Sequence, residues 1–294
     1  MRAVRDRVYG VTMTGPTLVI LAAGRARRYG GLKQLAPIGR HGEGVIDLTA
    51  ADAMRAGFSH IVMVVNRDTG PTIQEHIAVN WPEHLAVSYV YQEQLRGTVD
   101  AVLAARSVVD PERPFAVSNA DDLYGPDAFG QLVAHLSSSP NSCLVAYELE
   151  NSLIGDLPVS RGVCAVADGR LVNITERRNV TFTPNGFAAD DGLRPTILND
   201  DLLVSMNLWG FQPEVWPLLQ RALEEHDFAE NDEVLLPTFV ADAMRRDAVI
   251  FDVLTTAARC IGVTHANDLP LAQFLVRQEI KHGQRPQRAF DPQN

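Results

Sequence analysis

TLVILAAGRARRYGGLKQL, residues 17–35, is the stretch that decides the fold. Its first part, 18–23, is an unbroken apolar run, too short to span a membrane and closed by Gly24, which is the pattern of a strand buried on both faces. Such strands belong to parallel sheets covered by helices on either side. The chain keeps this rhythm. Strand patterns at 60–65, 85–91 and 114–120 alternate with helical patterns at 45–57, from about 70, at 98–109 and at 126–136. Gly57 stands where a helix C-terminus favours a left-handed residue, and Pro126 stands where a first helical turn accepts proline. The alternation predicts an α/β protein, a three-layer α/β/α, Rossmann-like, mixed and mostly parallel sheet. Further on, 142–150 and 202–211 read as strands, and 161–177 as two strands around Asp168-Gly169. A strand at 249–254 and a helix at 269–282 follow, while 179–201 reads as a long exposed loop. The expected organisation is a single domain over 16–283, with halves 16–140 and 141–283, a disordered tail at 1–15 and a C-terminal tail at 284–294.

The second part of the opening stretch gathers Arg25, Arg27, Arg28 and Lys33 in a chain with 36 acidic and 26 basic residues and a net charge of -10. That balance excludes a broad basic face for nucleic acid, so any anion site must be a local cluster. Among the 26 cations only Lys33 and Lys281 are lysines. Lys33 is thus singled out, because a compact ammonium acts as a point charge on phosphate oxygens. Cys143, Cys164 and Cys260 are far apart, with no CxxC pair, which points to a reducing cytoplasm and no zinc site. No run of 18 apolar residues occurs, so no membrane segment is expected.

The cluster fits neither GxxxxGK[ST] nor GxGxxG. What remains is a buried strand, a turn at Gly24, and backbone N–H groups with cations around a triphosphate. Ligands on such sheets bind beyond the carboxyl ends of the strands, where NADDLYG (119–125) also falls.

LAAG, then Arg28, then Lys33-Gln34 resembles the signature loop of the nucleotidylyltransferases, specifically those that make nucleotide-diphosphate sugars from sugar 1-phosphates. The similarity runs from about 17 to 283 and implies the nucleotide-diphospho-sugar transferase fold. It implies that Leu21, Ala22, Ala23 and Gly24 wrap a nucleoside triphosphate, and that Arg28 and Lys33 hold its phosphates during catalysis. Ala26 stands where many members have glycine. YQEQLRGTVDAV (91–102) is similar to the base-reading segment, which assigns Gln92, Gly97 and Thr98 to the nucleotide; a helix cap is the plainer reading of Thr98. VSNADDLYG (117–125) matches Asp121 to the aspartate that binds Mg²⁺. RGVCAVADGRLVNITER (161–177) resembles the family's second-substrate hairpin, which implies Gly162 at the sugar ring, Glu176 on its hydroxyls and Arg177 on its phosphate; the resemblance also implies Asn207 in the sugar pocket, with a buried strand asparagine making purely structural bonds as the plainer reading. Relatives often supply a second Asp or Asn late in the chain, and Gly262 aligns there, so the resemblance implies either Asp121 with phosphates and water alone or recruitment of Asp122 or Asp268, with Asp268 equally readable as a helix cap.

The resemblance implies an enzyme that transfers a nucleoside monophosphate from a nucleoside triphosphate to a sugar 1-phosphate, with Mg²⁺ as cofactor and pyrophosphate as second product. Two alternatives stand beside it. One is a cytidylyl- or guanylyltransferase acting on a non-sugar phosphate of molybdopterin or polyol type; the other is a nucleotide-sugar-binding protein without turnover. The expected partners are the two small substrates, with no nucleic acid and no membrane, and a homo-oligomer is compatible with the reading.

Overall fold

The computed structural model describes residues 15–24, 32–155, 157–184, 186–229, 232–246, 248–263 and 266–290. Most of the expected N-terminal tail, together with Arg25, Ala26, Arg27 and Arg28, lies outside them.

The apolar run forms β1 (Thr17–Leu21), followed by β2 (His60–Val65), β3 (Val87–Tyr91) and β4 (Phe115–Asn119). These four pair in parallel in the order β4-β1-β2-β3. Their crossovers carry α1 (Val45–Ala56), α2 (Gly70–Asn80) and α3 (Thr98–Ala104). After the short β5 (Asp122–Leu123) comes α4 (Pro126–Ser138). Strand alternation sorts the side chains of β1 between two cores. Leu18 and Ile20 pack with residues of α1, α2 and α4, whereas Val19 packs on the other face with residues of α3. All three are fully buried. Each such aliphatic side chain contributes about 1.5–3 kcal/mol by leaving water.

The second half adds β6 (Ser142–Glu148), β7 (Val159–Ala167), β8 (Arg170–Thr183), β9 (Gly186–Ala188), β10 (Ile197–Leu198) and β11 (Leu203–Phe211). Then come α5 (Val215–Glu224), α6 (Leu236–Arg245), β12 (Phe251–Thr256), β13 (Ile261–Gly262) and α7 (Leu269–Lys281). The main sheet runs β10-β9-β8-β12-β6-β11-β4-β1-β2-β3, with β7 pairing β11 and β8. It is mixed: β12 runs parallel to β6, while β11 enters antiparallel between β6 and β4. Helices α5 and α6 join α3 on one face, which completes the three layers. The α7 helix packs outside α1 in a smaller cluster that also holds β5 and β13.

Local signals explain the termini. Asp47 Oδ2 accepts a 2.7 Å bond from the Gly44 N–H at the start of α1, and Gly57 ends that helix at φ 106°. Asp168 and Gly169 turn the β7–β8 hairpin with φ 51° and 74°, the conformation a two-residue hairpin turn demands.

Two expectations are corrected. Residues 179–201 are not one exposed loop: β8 continues to Thr183, β9 and β10 add antiparallel strands, and Val180, Phe187, Ala189 and Leu198 are buried. The C-terminal residues 284–290 do not form a free tail either. Arg285 is buried against Asp52 at 2.5 Å and Glu279 at 2.8 Å, Arg55 donates to the Ala289 carbonyl, and Phe290 packs on Trp81.

Candidate active site

The carboxyl ends of β1 and β4 lie side by side, because these strands are in register from Thr17↔Phe115 to Leu21↔Asn119. Backbone and side-chain bonds then fix the chain just past them. Ala120 donates to Leu21 O, Asn66 Nδ2 to Ala23 O at 2.7 Å, and Gln34 Nε2 to Ala22 O at 3.2 Å. Leu21 is half-buried, Ala22 and Ala23 are buried and Gly24 is exposed, so the start of the signature loop leaves the sheet at a rigid point. Gln34 lies in a short 3-10 turn, Lys33–Leu35, which returns Lys33 to the strand ends.

Lys33 Nζ stands 3.4 Å from Asp121 Oδ2, with the two side chains 18% and 35% exposed. Both line a cleft of about 300 Å³ whose opposite wall comes from the second half of the chain. There Gly162 and Glu176 face each other across β7 and β8, and Gly162 is next to Ser205 of β11. A side chain at Gly162 would meet Ile174 at 2.9 Å, so glycine keeps this wall flat. Asn207 sits at a bulge in β11 with φ 59°, and its Oδ1 accepts from Trp209 Nε1 at 3.2 Å. That bond leaves the amide nitrogen as the polar atom Asn207 can turn to a ligand in the cleft.

Asp122, one residue further on, is half-buried in β5. Its Oδ2 accepts from Asn119 Nδ2 at 2.9 Å, and burial together with the charge of Asp121 pushes its pKa up to about 7. A side chain at Gly262 would meet Asp122 Oδ1 at 2.5 Å, so the Asp122 carboxylate fills the space opposite this glycine. Asp268 holds the first position before α7 without a side-chain capping bond and lies against Gly155.

The donor set fits a divalent cation. Asp121 offers a hard carboxylate oxygen to the cleft, and Asp122 beside it is a carboxyl group short of positive charge. Among the described residues no group of three His, Cys, Asp or Glu is placed to hold a metal. The protein would thus supply one or two ligands and leave the remainder to phosphate and water, the mode Mg²⁺ favours.

The structure gives three further assigned residues partners within the protein. Gln92 is not among the residues lining the cleft, and its amide nitrogen donates to Gly97 O at 3.0 Å and to Asp100 Oδ2 at 2.9 Å. It holds the turn that presents Thr98. Gly97, at φ 99°, packs against the Val234 backbone, where a Cβ would lie 2.5 Å from the carbonyl oxygen. Gly97→Ala should therefore lower the melting temperature by several degrees, and an unchanged thermal unfolding curve would contradict this packing. Thr98 does line the cleft, but its Oγ1 accepts from the Leu236 N–H at 2.7 Å instead of capping its own helix.

Arg177 is the largest correction. Its guanidinium turns away from the cleft into a buried pair with Asp191 at 2.7 Å and donates to Pro195 O at 2.8 Å, the two side chains being 5% and 4% exposed. The Arg177 guanidinium holds the Asp191 carboxyl well below the usual carboxylate range. Arg177 is thus the anchor of the segment between β9 and β10. Arg177→Met should lower the melting temperature by several degrees, because a buried carboxylate is left unpaired. A variant with unchanged melting and a raised KM for the phosphate acceptor alone would restore the ligand role.

Residues of the cleft wall that the sequence does not assign include Asn119, Arg161 and Ser205. Each adjoins or pairs with an assigned residue, which is the signal that marks them. A second cavity of about 320 Å³ between α5 and α6 is lined by Leu218, Ala222, Phe239 and Ala243 and lies apart from these groups. No helix among the described residues is long and apolar enough to cross a membrane.

The family model of the MobA-like NTP transferase domain matches residues 18–228. No curated protein matches the sequence. Similar solved structures include the inositol-1-phosphate CTP transferase from T. maritima, at TM-score 0.65 and 14% identity, covering 92% of this chain and 97% of that one. A UDP-glucose pyrophosphorylase complexed with UDP-glucose gives TM-score 0.63 and 17% identity over 90% and 99% of the two chains. A putative glucose-1-phosphate thymidylyltransferase from Bacillus anthracis gives 0.67 and 12% over 89% and 95%. At these identities the likeness establishes the nucleotide-diphospho-sugar transferase fold.

Proposed function

Because the chain belongs to the MobA-like NTP transferase domain family and is a nucleotidyltransferase, we propose that it transfers a nucleoside monophosphate from a nucleoside triphosphate to a sugar 1-phosphate, forming a nucleotide-diphosphate sugar and pyrophosphate. The observation that carries this reading is the single cleft in which Lys33 and Asp121, at the ends of the parallel strands, face Gly162 and Glu176 of the hairpin. One wall suits phosphates and the other suits the hydroxyls of a small acceptor. Solved proteins of this fold are described as acting on inositol 1-phosphate and as a UDP-glucose pyrophosphorylase, which supports a phosphorylated polyhydroxy acceptor.

The reaction needs no covalent enzyme intermediate. An oxygen of the acceptor phosphate attacks the α-phosphorus, the bond from that phosphorus to the bridging oxygen breaks, and pyrophosphate leaves with the electron pair. The attacking oxygen is already anionic, so no general base is required. The chain's task is to bring two polyanions together in line, and orientation alone is worth about 7–11 kcal/mol in favourable cases. Lys33 places one positive charge at the phosphates, in a cleft where a preset charge acts more strongly than in water. Arg28, assigned by resemblance, would add a second. Asp121, with Asp122 beside it, would hold Mg²⁺, which when bound neutralises charge on the triphosphate. Glu176 and the Asn207 amide would orient the acceptor through its hydroxyls.

The test is pyrophosphate release across dTTP, UTP, CTP, GTP and ATP, each against a set of sugar 1-phosphates. Release that requires both a nucleotide and an acceptor supports the proposal. Release with a polyol or molybdopterin phosphate alone would replace the sugar by another acceptor, and nucleotide binding without any release would remove the activity.

A further inference from the structure

With Arg177 committed to Asp191, the acceptor half of the cleft has lost the cation that the sequence had given it, yet a phosphate brought beside Asp121 and Asp122 needs one. Arg161 is the residue in position. It lines the cleft between Ser160 and Gly162, and its Cα partner across the β7–β8 ladder is Arg177 itself. The two arginines have opposite fates. Arg177 is neutralised by a carboxylate, whereas the Arg161 guanidinium donates only to uncharged groups: Ser152 Oγ at 3.2 Å, Ser152 O at 2.5 Å and Ser160 O at 2.8 Å. Among the described residues it forms no ion pair. Burial pushes its pKa below the ordinary arginine value, the mark of a cation held out of water without full compensation.

We propose that Arg161 is the receptor for the acceptor's phosphate group, binding its oxygens with guanidinium donors left over from the Ser152 and Ser160 bonds. This rests on the proposed transfer reaction, which requires an acceptor phosphate near Asp121. Five donors in a planar fork leave Arg161 able to keep Ser152 and Ser160 and still bind an anion. The inward bonds fix the guanidinium before the ligand arrives, so little side-chain freedom is lost on binding. An acceptor with a phosphomonoester is thus favoured over the same polyol without phosphate.

The experiment compares wild type, Arg161→Lys and Arg161→Met as full-length chains, each checked for folding by circular dichroism. Steady-state kinetics use the acceptor that gives most pyrophosphate release. In Arg161→Met the acceptor KM should rise about 10- to 100-fold, the span expected for losing a charge-assisted hydrogen bond, while the nucleotide KM stays near wild type and Arg161→Lys recovers part of the loss. In parallel, inorganic phosphate should raise the melting temperature of wild type with a saturating dose response that Arg161→Met lacks. If phosphate stabilises wild type and not Arg161→Met while no acceptor reacts, the anion site stands and the transfer reading fails. If wild type turns over and Arg161→Met keeps its acceptor KM, or if phosphate stabilises both proteins alike or neither, Arg161 is not the receptor.

Discussion

Asp121→Asn should lower Mg²⁺-dependent pyrophosphate release by about 1,000-fold, the upper range for removing one group that stabilises transition-state charge. The expectation comes from its placement. Asp121 lies two residues beyond the buried strand β4, its carbonyl is fixed by the Val263 N–H at 3.1 Å, and its carboxylate lines the cleft beside Lys33. The asparagine keeps the shape and loses the charge, so the fold should survive, as circular dichroism and thermal unfolding can verify. The measurement is a Mg²⁺ titration of initial rate in both proteins. A wild-type rate and metal response in Asp121→Asn would remove Asp121 from the metal site and leave Asp122 as the remaining carboxylate of the cleft floor.

Lys33→Ala should cost at least about 100-fold in kcat/KM for the nucleoside triphosphate. Lys33 is 3.4 Å from Asp121 without a tighter bond to any described residue, so its ammonium can move to a phosphate when one arrives. Arginine should rescue poorly, because a bulky planar fork does not reproduce a compact point charge in the same space. Deleting a solvated surface lysine would leave kcat/KM within about twofold, since such groups contribute little. That outcome would make the Lys33–Asp121 contact a surface ion pair.

The parts of the molecule that sequence reveals are those set by local chemistry. The run at β1, the glycine that ends α1 and the Asp168-Gly169 turn each carry their signal within a few residues, and all three appear where the pattern puts them. The flap made by β8, β9 and β10 carried no such signal. Its strands are short, and its order depends on Arg177 meeting Asp191, a contact that periodicity does not encode. The same limit explains the site. Lys33, Asp121, Gly162, Glu176 and Asn207 do converge on one cleft, because their positions follow from strand ends and a hairpin. Gln92 and Arg177 do not, since the direction of a side chain at or just past a strand is decided by its tertiary partners, here Asp100 and Asp191. Arg161 carries no motif of its own, and its place in the cleft follows from the β7–β8 pairing beside Gly162. Base and sugar identity depend on the shape of the closed cleft and are carried by no single motif.

Nucleotidyl transfer is tested most directly by following the phosphorus atoms themselves. In ³¹P NMR of the full-length protein with Mg²⁺, a nucleoside triphosphate and a sugar 1-phosphate, the triphosphate resonances should decline together with that of the sugar phosphate. Pyrophosphate and a pair of coupled diphosphate-diester resonances should grow in equal amounts. Accumulation of orthophosphate with a nucleoside diphosphate, or of pyrophosphate with free nucleoside monophosphate and an untouched sugar phosphate, would show hydrolysis instead of transfer and would contradict the proposed function.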